Sequence, residues 1–277
     1  MQAICSTTQR SGAPALFMRH WPLEKARAGV LLIHGFGEHS GRYSHVAEAL
    51  GERGVETWAT DLRGFGESHG RRACIGNFED YLDDVAFAIE PVAQQREPLF
   101  LLGHSMGGLV CAQFALKRRA PLTGLILSSP ALAFALKVPA WKSSAAALAS
   151  RWLPNLRMPS GVNPKLLSHD PQVAKGIAKD PLAVWMASAR WYTECLAAQA
   201  EAQAAAPSLE LPLLSLAAGA DAICDEAAAK RFHQAAGSTD KSWISYPGLY
   251  HEIFNEIGRA AVLRDLGEWI EDHSEPV

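Results

Sequence analysis

The stretch Pro98-Leu-Phe-Leu-Leu-Gly-His-Ser-Met-Gly-Gly108 decides the fold. Leu99 to Leu102 form a short apolar run closed off by Pro98 and Gly103, which reads as a buried strand. Gly103-His-Ser-Met-Gly107 then spells G-x-S-x-G, and Leu109 to Arg119 reads as a helix. Strand, sharp turn and helix together form the context in which this motif lifts a serine hydroxyl to the carboxyl end of a sheet. Gly103 and Gly107 leave room for a strained Ser105 because neither carries a Cβ. The helix N-terminus beside it offers amide N–H groups to a developing negative charge. An inert serine in a Gly-rich turn is the plainer alternative. The apolar run before the turn, the helix after it and the additional Gly108 argue against it.

Outward from this turn, the chain alternates strand and helix. Ala15 to Trp21 reads as an early strand and Gly29 to Ile33 as a central parallel one. The spacing of Tyr43, Val46, Ala47 and Leu50 predicts a helix, and Val55 to Thr60 the next strand. Asn77 is the expected cap of a helix running to about Gln95, and Leu122 to Leu127 a further strand. This order is that of an α/β fold with a mostly parallel sheet and helices on both faces. Gly35-x-Gly37 and Gly64-x-Gly66 each lack the third glycine of a dinucleotide-binding fingerprint. From about Phe134 to Ser208 the pattern breaks into Ala-rich helical pieces punctuated by prolines, with no convincing strand and with Trp141, Trp152, Trp185 and Trp191. The sheet resumes at Leu211 to Ala217. A helix near Glu226 to Ala236, a strand from Ser242 to Tyr246 and a last helix near Arg259 to Glu271 follow. The chain is thus one domain, 1–277, with residues 131–208 inserted as a helical cap, or lid, over the sheet edge where open α/β folds bind ligands.

A serine hydroxyl needs a base, and the base an orienting acid. On a nucleophile turn of this kind the chain order is serine, acid, histidine. His169 falls in the cap, His233 inside a helix and His273 in the tail. His251 follows the last strand and its loop, at the nucleophile's edge, and is the candidate base. Asp221, just past Leu211 to Ala217, is the candidate acid. Asp225 is the alternative, with its own reason to be present as a helix cap. The backbone N–H groups of Met106, after the nucleophile, and Phe36, after His34-Gly35, are the candidate oxyanion donors. His34 is expected to brace its loop, and His104 to be structural or to line the pocket.

His34-Gly-Phe-Gly-Glu-His-Ser-Gly-Arg-Tyr43, Asp61-Leu-Arg-Gly-Phe-Gly-Glu-Ser68, Gly103-His-Ser-Met-Gly107, Ala220-Asp-Ala-Ile-Cys-Asp225 and Tyr250-His251-Glu252 resemble, in order, the monoacylglycerol lipase and lysophospholipase group of α/β-hydrolases. The Gly-Glu-His-Ser-Gly-Arg-Tyr string is the most specific piece. The resemblance runs from about residue 15 to about residue 270. It implies the α/β-hydrolase fold with a helical cap after the sixth core strand. It also implies Ser105, Asp221 and His251 as catalytic triad, Phe36 and Met106 as oxyanion hole, and monoacylglycerol as substrate. The alternatives are a lysophospholipase or general carboxylesterase and, in another class, a non-catalytic hydrolase-fold protein that binds a lipid-like ligand. The complete triad weighs against the last.

Composition bounds the rest. With 277 residues, 48% of them hydrophobic, the chain can bury a sizeable core. A net charge of −3 and the lack of a long basic run give no support to nucleic-acid binding and no electrostatic pull toward a membrane. The five cysteines are odd in number and lack a C-x-x-C, which reads as reduced thiols in a cytoplasmic protein without a metal site. No signal peptide or membrane span is expected. No cofactor and no obligate protein partner is implied. Cap tryptophans and leucines would allow peripheral contact with a membrane or micelle.

Overall fold

The computed structural model describes residues 1–136 and 140–274. Eight strands form one sheet: β1 (Ile4–Arg10), β2 (Ala13–Trp21), β3 (Ala28–Ile33), β4 (Val55–Thr60), β5 (Leu99–His104), β6 (Gly124–Ser128), β9 (Leu213–Ala218) and β10 (Lys241–Tyr246). Their spatial order is β1-β2-β4-β3-β5-β6-β9-β10. β1 and β2 pair antiparallel, as do β2 and β4; every other neighbouring pair is parallel. This is the expected α/β-hydrolase architecture.

The apolar runs of β3, β5 and β6 are buried on both faces. Val30, Leu32, Phe100, Leu102 and Ile126 pack with Val46, Ala47 and Leu50 of α1 (Ser44–Gly51) and Val262, Leu266 and Ile270 of α8 (Arg259–Asp272). The alternate residues Leu31, Ile33, Leu101, Leu125 and Leu127 face α2 (Glu79–Ala93), α3 (Met106–Lys117) and α7 (Glu226–Ala235). Strand periodicity therefore feeds two cores, one per face.

Several boundaries differ from the sequence reading. β1 was not anticipated: Ile4-Cys-Ser-Thr-Thr-Gln-Arg10 is an exposed edge strand with no apolar face to betray it. α3 begins at Met106 rather than Leu109, because Gly107 and Gly108 read as turn yet lie in its first turn. α2 begins at Glu79, and Asn77 Oδ1 accepts from the Asp80 N–H at 3.3 Å just ahead of it.

Between β6 and β9 lie α4 (Ala140–Trp152), α5 (Pro171–Lys179) and α6 (Ala189–Ala205). The expectation of no strand here is corrected: β7 (Arg157–Pro159) and β8 (Met186–Ser188) pair antiparallel. At three residues each they are too short to leave a period-2 pattern. α6 rests on the core, where Gln113 donates to the Ala198 carbonyl at 2.6 Å and Gln199 to the Ala131 carbonyl at 2.9 Å. α4 packs on α6.

Candidate active site

β5 ends at His104, α3 starts at Met106, and Ser105 makes the whole turn at φ 55° and ψ −118°. That conformation costs a non-glycine residue about 1–3 kcal/mol, which the packing around it has to offset. A Cβ on Gly103 would lie 2.3 Å from the Gly107 carbonyl oxygen, and one on Gly107 would lie 2.2 Å from that of Ile33. The turn closes only because both residues are glycine. The Ser105 N–H donates to the Ser128 carbonyl at 2.9 Å, and its own carbonyl accepts from Ala131 at 2.9 Å.

Three elements converge on this serine. His251, beyond β10, accepts from the Ser105 hydroxyl at Nε2, 2.8 Å away, and its Nδ1–H donates to Asp221 Oδ2 at 2.7 Å. Asp221, beyond β9, uses its other oxygen to accept the Ile223 and Cys224 N–H groups at 2.8 and 2.9 Å. All three side chains are buried. Burial pushes the His251 imidazole down, but the Asp221 charge and hydrogen bond outweigh it and hold it above the ordinary value. Burial pushes Asp221 up; the His251 charge and the three hydrogen bonds it accepts bring it below the usual carboxylate range. The pair fixes the tautomer that leaves Nε2 free to take a proton.

The structure brings the candidate residues Ser105, Asp221 and His251 to one point. Asp225 lies apart: it caps α7 through the Ala227 N–H at 2.9 Å. His169 and His233 lie elsewhere too, His233 against Ser215 at 3.0 Å. His34 braces its loop, with Nε2 accepting from Leu62 at 3.0 Å and Nδ1–H donating to Gly35 at 2.7 Å. The loop after β3 passes close to the serine: a Cβ on Gly35 would sit 3.1 Å from the Ser105 Cβ. Phe36 and Met106 both line the cavity above Ser105. Met106 opens α3, so its N–H has no acceptor within the helix. His104 lines the cavity and contacts Ser128 Oγ at 3.1 Å; burial, then the nearby His251, push it down to about 4, so it stays neutral.

Asp221, Cys224 and His251 each bring one potential metal-ligand atom within 4.8 Å of the others. The His251–Asp221 hydrogen bond already joins two of those atoms directly, and burial, then Asp221, push the Cys224 thiol well up. This donor set suits a proton relay and not an ion.

The sequence reading missed what orients the two loops. Glu38 accepts from the Gly35 N–H at 2.7 Å, the Tyr43 hydroxyl at 2.6 Å and Arg42 at 2.8 Å. Arg42 also grips both oxygens of Glu252, next to His251, at 2.8 and 2.6 Å. One guanidinium therefore joins the loop carrying Phe36 to the loop carrying His251. Burial opposes ionisation of Glu38, but Arg42, His104 and His34 hold its carboxyl at about 2. The Gly-Glu-His-Ser-Gly-Arg-Tyr string was visible, but its partner Glu252 is too distant in sequence for spacing to suggest.

α5 is tied to the same two loops. Before it, the Leu167 carbonyl accepts from the Glu252 N–H at 2.8 Å, and His169 pairs with Glu256 at 2.8 Å while stacking on Tyr250. After it, His39 pairs with Asp180 at 2.8 Å, and the Val184 N–H donates to the Gly37 carbonyl at 3.0 Å. The cavity beneath is walled by Leu109, Phe134, Val162, Ile177, Val184 and Trp191, with Glu38, His104 and Glu252 among its few polar members.

A strained serine after the fifth strand, a histidine after the last and a carboxylate between them in sequence define a serine hydrolase of the α/β-hydrolase fold. The chain belongs to the family described as serine aminopeptidase, S33, which matches residues 24–258. It is 35% identical to a phospholipase, YtpA, of Bacillus subtilis over 250 residues, 88% of this chain and 95% of that protein. It is 32% identical to the monoglyceride lipase of Mus musculus over 263 residues, 92% and 86% of the two chains. The crystal structure of Paleococcus ferrophilus monoacylglycerol lipase superimposes with a TM-score of 0.84 at 31% identity, covering 99% of this chain and 100% of that one.

Proposed function

We propose that the protein hydrolyses monoacylglycerols to a fatty acid and glycerol, with Ser105 as nucleophile, His251 as general base and Asp221 as its orienting acid. The observation that carries the reading is the cavity: apolar walls suited to an acyl chain run down to Ser105, where Glu38, His104 and Glu252 offer polar contacts to hydroxyls. Relatives named monoglyceride or monoacylglycerol lipase support the same substrate.

The Ser105 oxygen attacks the ester carbonyl carbon while His251 Nε2 takes its proton. The carbonyl oxygen becomes an oxyanion, received by the N–H groups of Phe36 and Met106. When the C–O bond breaks, the imidazolium returns the proton to the departing glycerol oxygen, leaving an acyl-enzyme. Water, deprotonated by His251, attacks that acyl carbon and releases the fatty acid. Asp221 stabilises the imidazolium in both halves. Residues 131–208 act as the cap that shapes the acyl site.

The cap also supplies a surface for lipid. Trp141, Leu148 and Trp152 of α4 are 70, 63 and 70% exposed, and Leu153 and Leu156 continue the patch. These side chains meet a membrane or micelle face from which substrate is drawn. Among the described residues no helix is long and apolar enough to cross a membrane. Co-sedimentation with neutral phosphatidylcholine vesicles tests this contact, and failure to bind removes it.

The deciding experiment is a rate panel with a Ser105→Ala control and a serine-reactive probe. Monoacylglycerols of increasing chain length are compared with lysophosphatidylcholine, diacylglycerol and short esters. Monoacylglycerols should be turned over fastest, with no turnover and no labelling in Ser105→Ala. Faster turnover of lysophosphatidylcholine would favour the reading suggested by the phospholipase relative. A folded wild type that the probe does not label would return the site to ligand binding.

A further inference from the structure

A second groove lies between the cap segment and the core, lined by Arg63, Gly70, Arg71, Asp80, Asn155 and Arg190 among others. Its three guanidinium groups are not equivalent. Arg63 is already neutralised, with Asp80 at 2.8 Å and Asp84 at 2.7 Å. Among the described residues Arg190 has only uncharged acceptors: Nη2 donates to the Ser150 carbonyl at 2.7 Å and Nη1 reaches that of Gly76 at 3.5 Å. Its Nε is buried and has no hydrogen-bond partner. Arg71 is exposed and, among the described residues, pairs with no carboxylate. Among the described residues the groove thus holds two guanidinium groups without a carboxylate partner, while its one lining carboxylate, Asp80, is engaged by Arg63, which suits an oxyanion with phosphate geometry.

What surrounds the groove narrows the anion's source. Asn155 and Pro154, which line it, directly follow the exposed Trp152 and Leu153. Arg151 and Arg157, both exposed, bracket this apolar stretch, and the Arg151 guanidinium lies over the Trp152 ring at 5.5 Å. The sequence contains no acidic residue between Glu97 and Asp170. The overall charge of −3 therefore averages over a stretch, 98–169, whose charged side chains are all cationic and which holds most of the exposed large apolar residues. A soluble anion would account for the arginines but not for the apolar rim beside them. Apolar side chains seated among acyl chains, with arginines level with the phosphates, account for both.

We propose that the groove between Arg71 and Arg190 binds the phosphodiester headgroup of an anionic phospholipid in the surface on which Trp152, Leu153 and Leu156 rest. The assignment rests on the reading of the cap as a lipid-facing surface, and gives that surface a lipid preference.

The test is co-sedimentation with vesicles of phosphatidylcholine alone and of phosphatidylcholine mixed with phosphatidylglycerol. It uses wild type, Arg71→Gln, Arg190→Gln and, as a charge-matched control, Arg264→Gln, which lies exposed on α8. Thermal melts confirm that each variant is folded. Arg71→Gln, at an exposed position, remains informative if Arg190→Gln loosens the start of α6. The mixed vesicles should bind wild type more tightly, Arg71→Gln should lose about fivefold on them and nothing on neutral vesicles, and Arg264→Gln should lose neither. Equal losses in Arg71→Gln and Arg264→Gln, or no preference for mixed vesicles while neutral ones still bind, overturn the headgroup site alone. Binding to neither vesicle overturns the cap contact as well. Saturable, Arg71-dependent binding of inorganic phosphate without a vesicle preference would make the groove a site for a soluble anion and also overturn the assignment.

Discussion

Arg42→Gln tests whether one buried cation holds the two loops of the site in place. Glu38 and Glu252 have side chains only 3 and 5% exposed, and Arg42, at 14%, bonds to both. Removing the cation leaves two buried carboxylates facing each other, and breaking a buried pair in this way costs about 3–5 kcal/mol. Unfolding entropy near 2.1 cal/mol/K per residue gives about 0.6 kcal/mol/K for a chain of 277 residues, so the melting temperature should fall by about 5–9 °C. The pH dependence sharpens the test. In wild type the Glu38 carboxyl, held at about 2, contributes stability that is full above its unfolded value of 4.5 and is lost as pH falls toward 2. In the variant, burial without Arg42 raises the carboxyl, so acid relieves the repulsion. Melting curves of the two proteins should lie furthest apart at pH 7 and converge toward pH 4. Turnover should fall too, since Glu38 fixes the loop of Phe36 and Glu252 the neighbour of His251. A melting temperature within about 1 °C of wild type at pH 7, or a gap unchanged with pH, would refute the reasoning.

Two further changes probe the relay and the turn. The acid limb of kcat/KM should have its midpoint above 6.5, because His251 must be neutral to act and its folded value is raised, so activity is lost as pH falls through it. Asp221→Asn removes the largest of the influences that oppose burial, leaving only the lesser ones of Glu252 and Glu38; the midpoint should move down and kcat fall by about 10⁴-fold, and an unshifted acid limb in a pH–rate profile would contradict the assignment. Gly107→Ala places a methyl 2.2 Å from the Ile33 carbonyl oxygen and 2.5 Å from that of His34. Neither backbone can yield cheaply, so the variant should melt well below wild type or fail to fold, as circular dichroism would show.

Much of this molecule is legible without coordinates because strands buried on both faces are written as unbroken apolar runs. β3, β5 and β9 fall within one or two residues of where such runs place them; β4, Val55-Glu-Thr-Trp-Ala-Thr60, and the half-buried β10 are found by their β-branched and aromatic residues instead. The candidate triad is legible for a related reason: each member follows a strand of the sheet at its carboxyl end, Ser105 and Asp221 after apolar runs and His251 after the half-buried β10, so chain order aligns them. What escapes is whatever leaves no periodicity. β1 has solvent on its exposed residues and no apolar face. β7 and β8 are stabilised by each other, not by composition. Arg42 is visible in the Gly-Glu-His-Ser-Gly-Arg-Tyr string, but only the folded chain brings Glu252, 210 positions away, against it. The whole-chain charge likewise averages away the acid-free stretch between Glu97 and Asp170.

The hydrogen bonds at both ends of α5 have a mechanical consequence. Leu167 and His169 are moored to the segment that carries His251, and Asp180 and Val184 to the one that carries Phe36. α5 therefore behaves as the keystone of an arch whose two feet are the reacting loops. Lifting it would break hydrogen bonds to both feet at once, to the segment of His251 and to that of Phe36. On the flank where α4 leans against α6, none of these hydrogen bonds is made. α4, which presents Trp141 and Trp152 to the outside, carries neither foot of that arch.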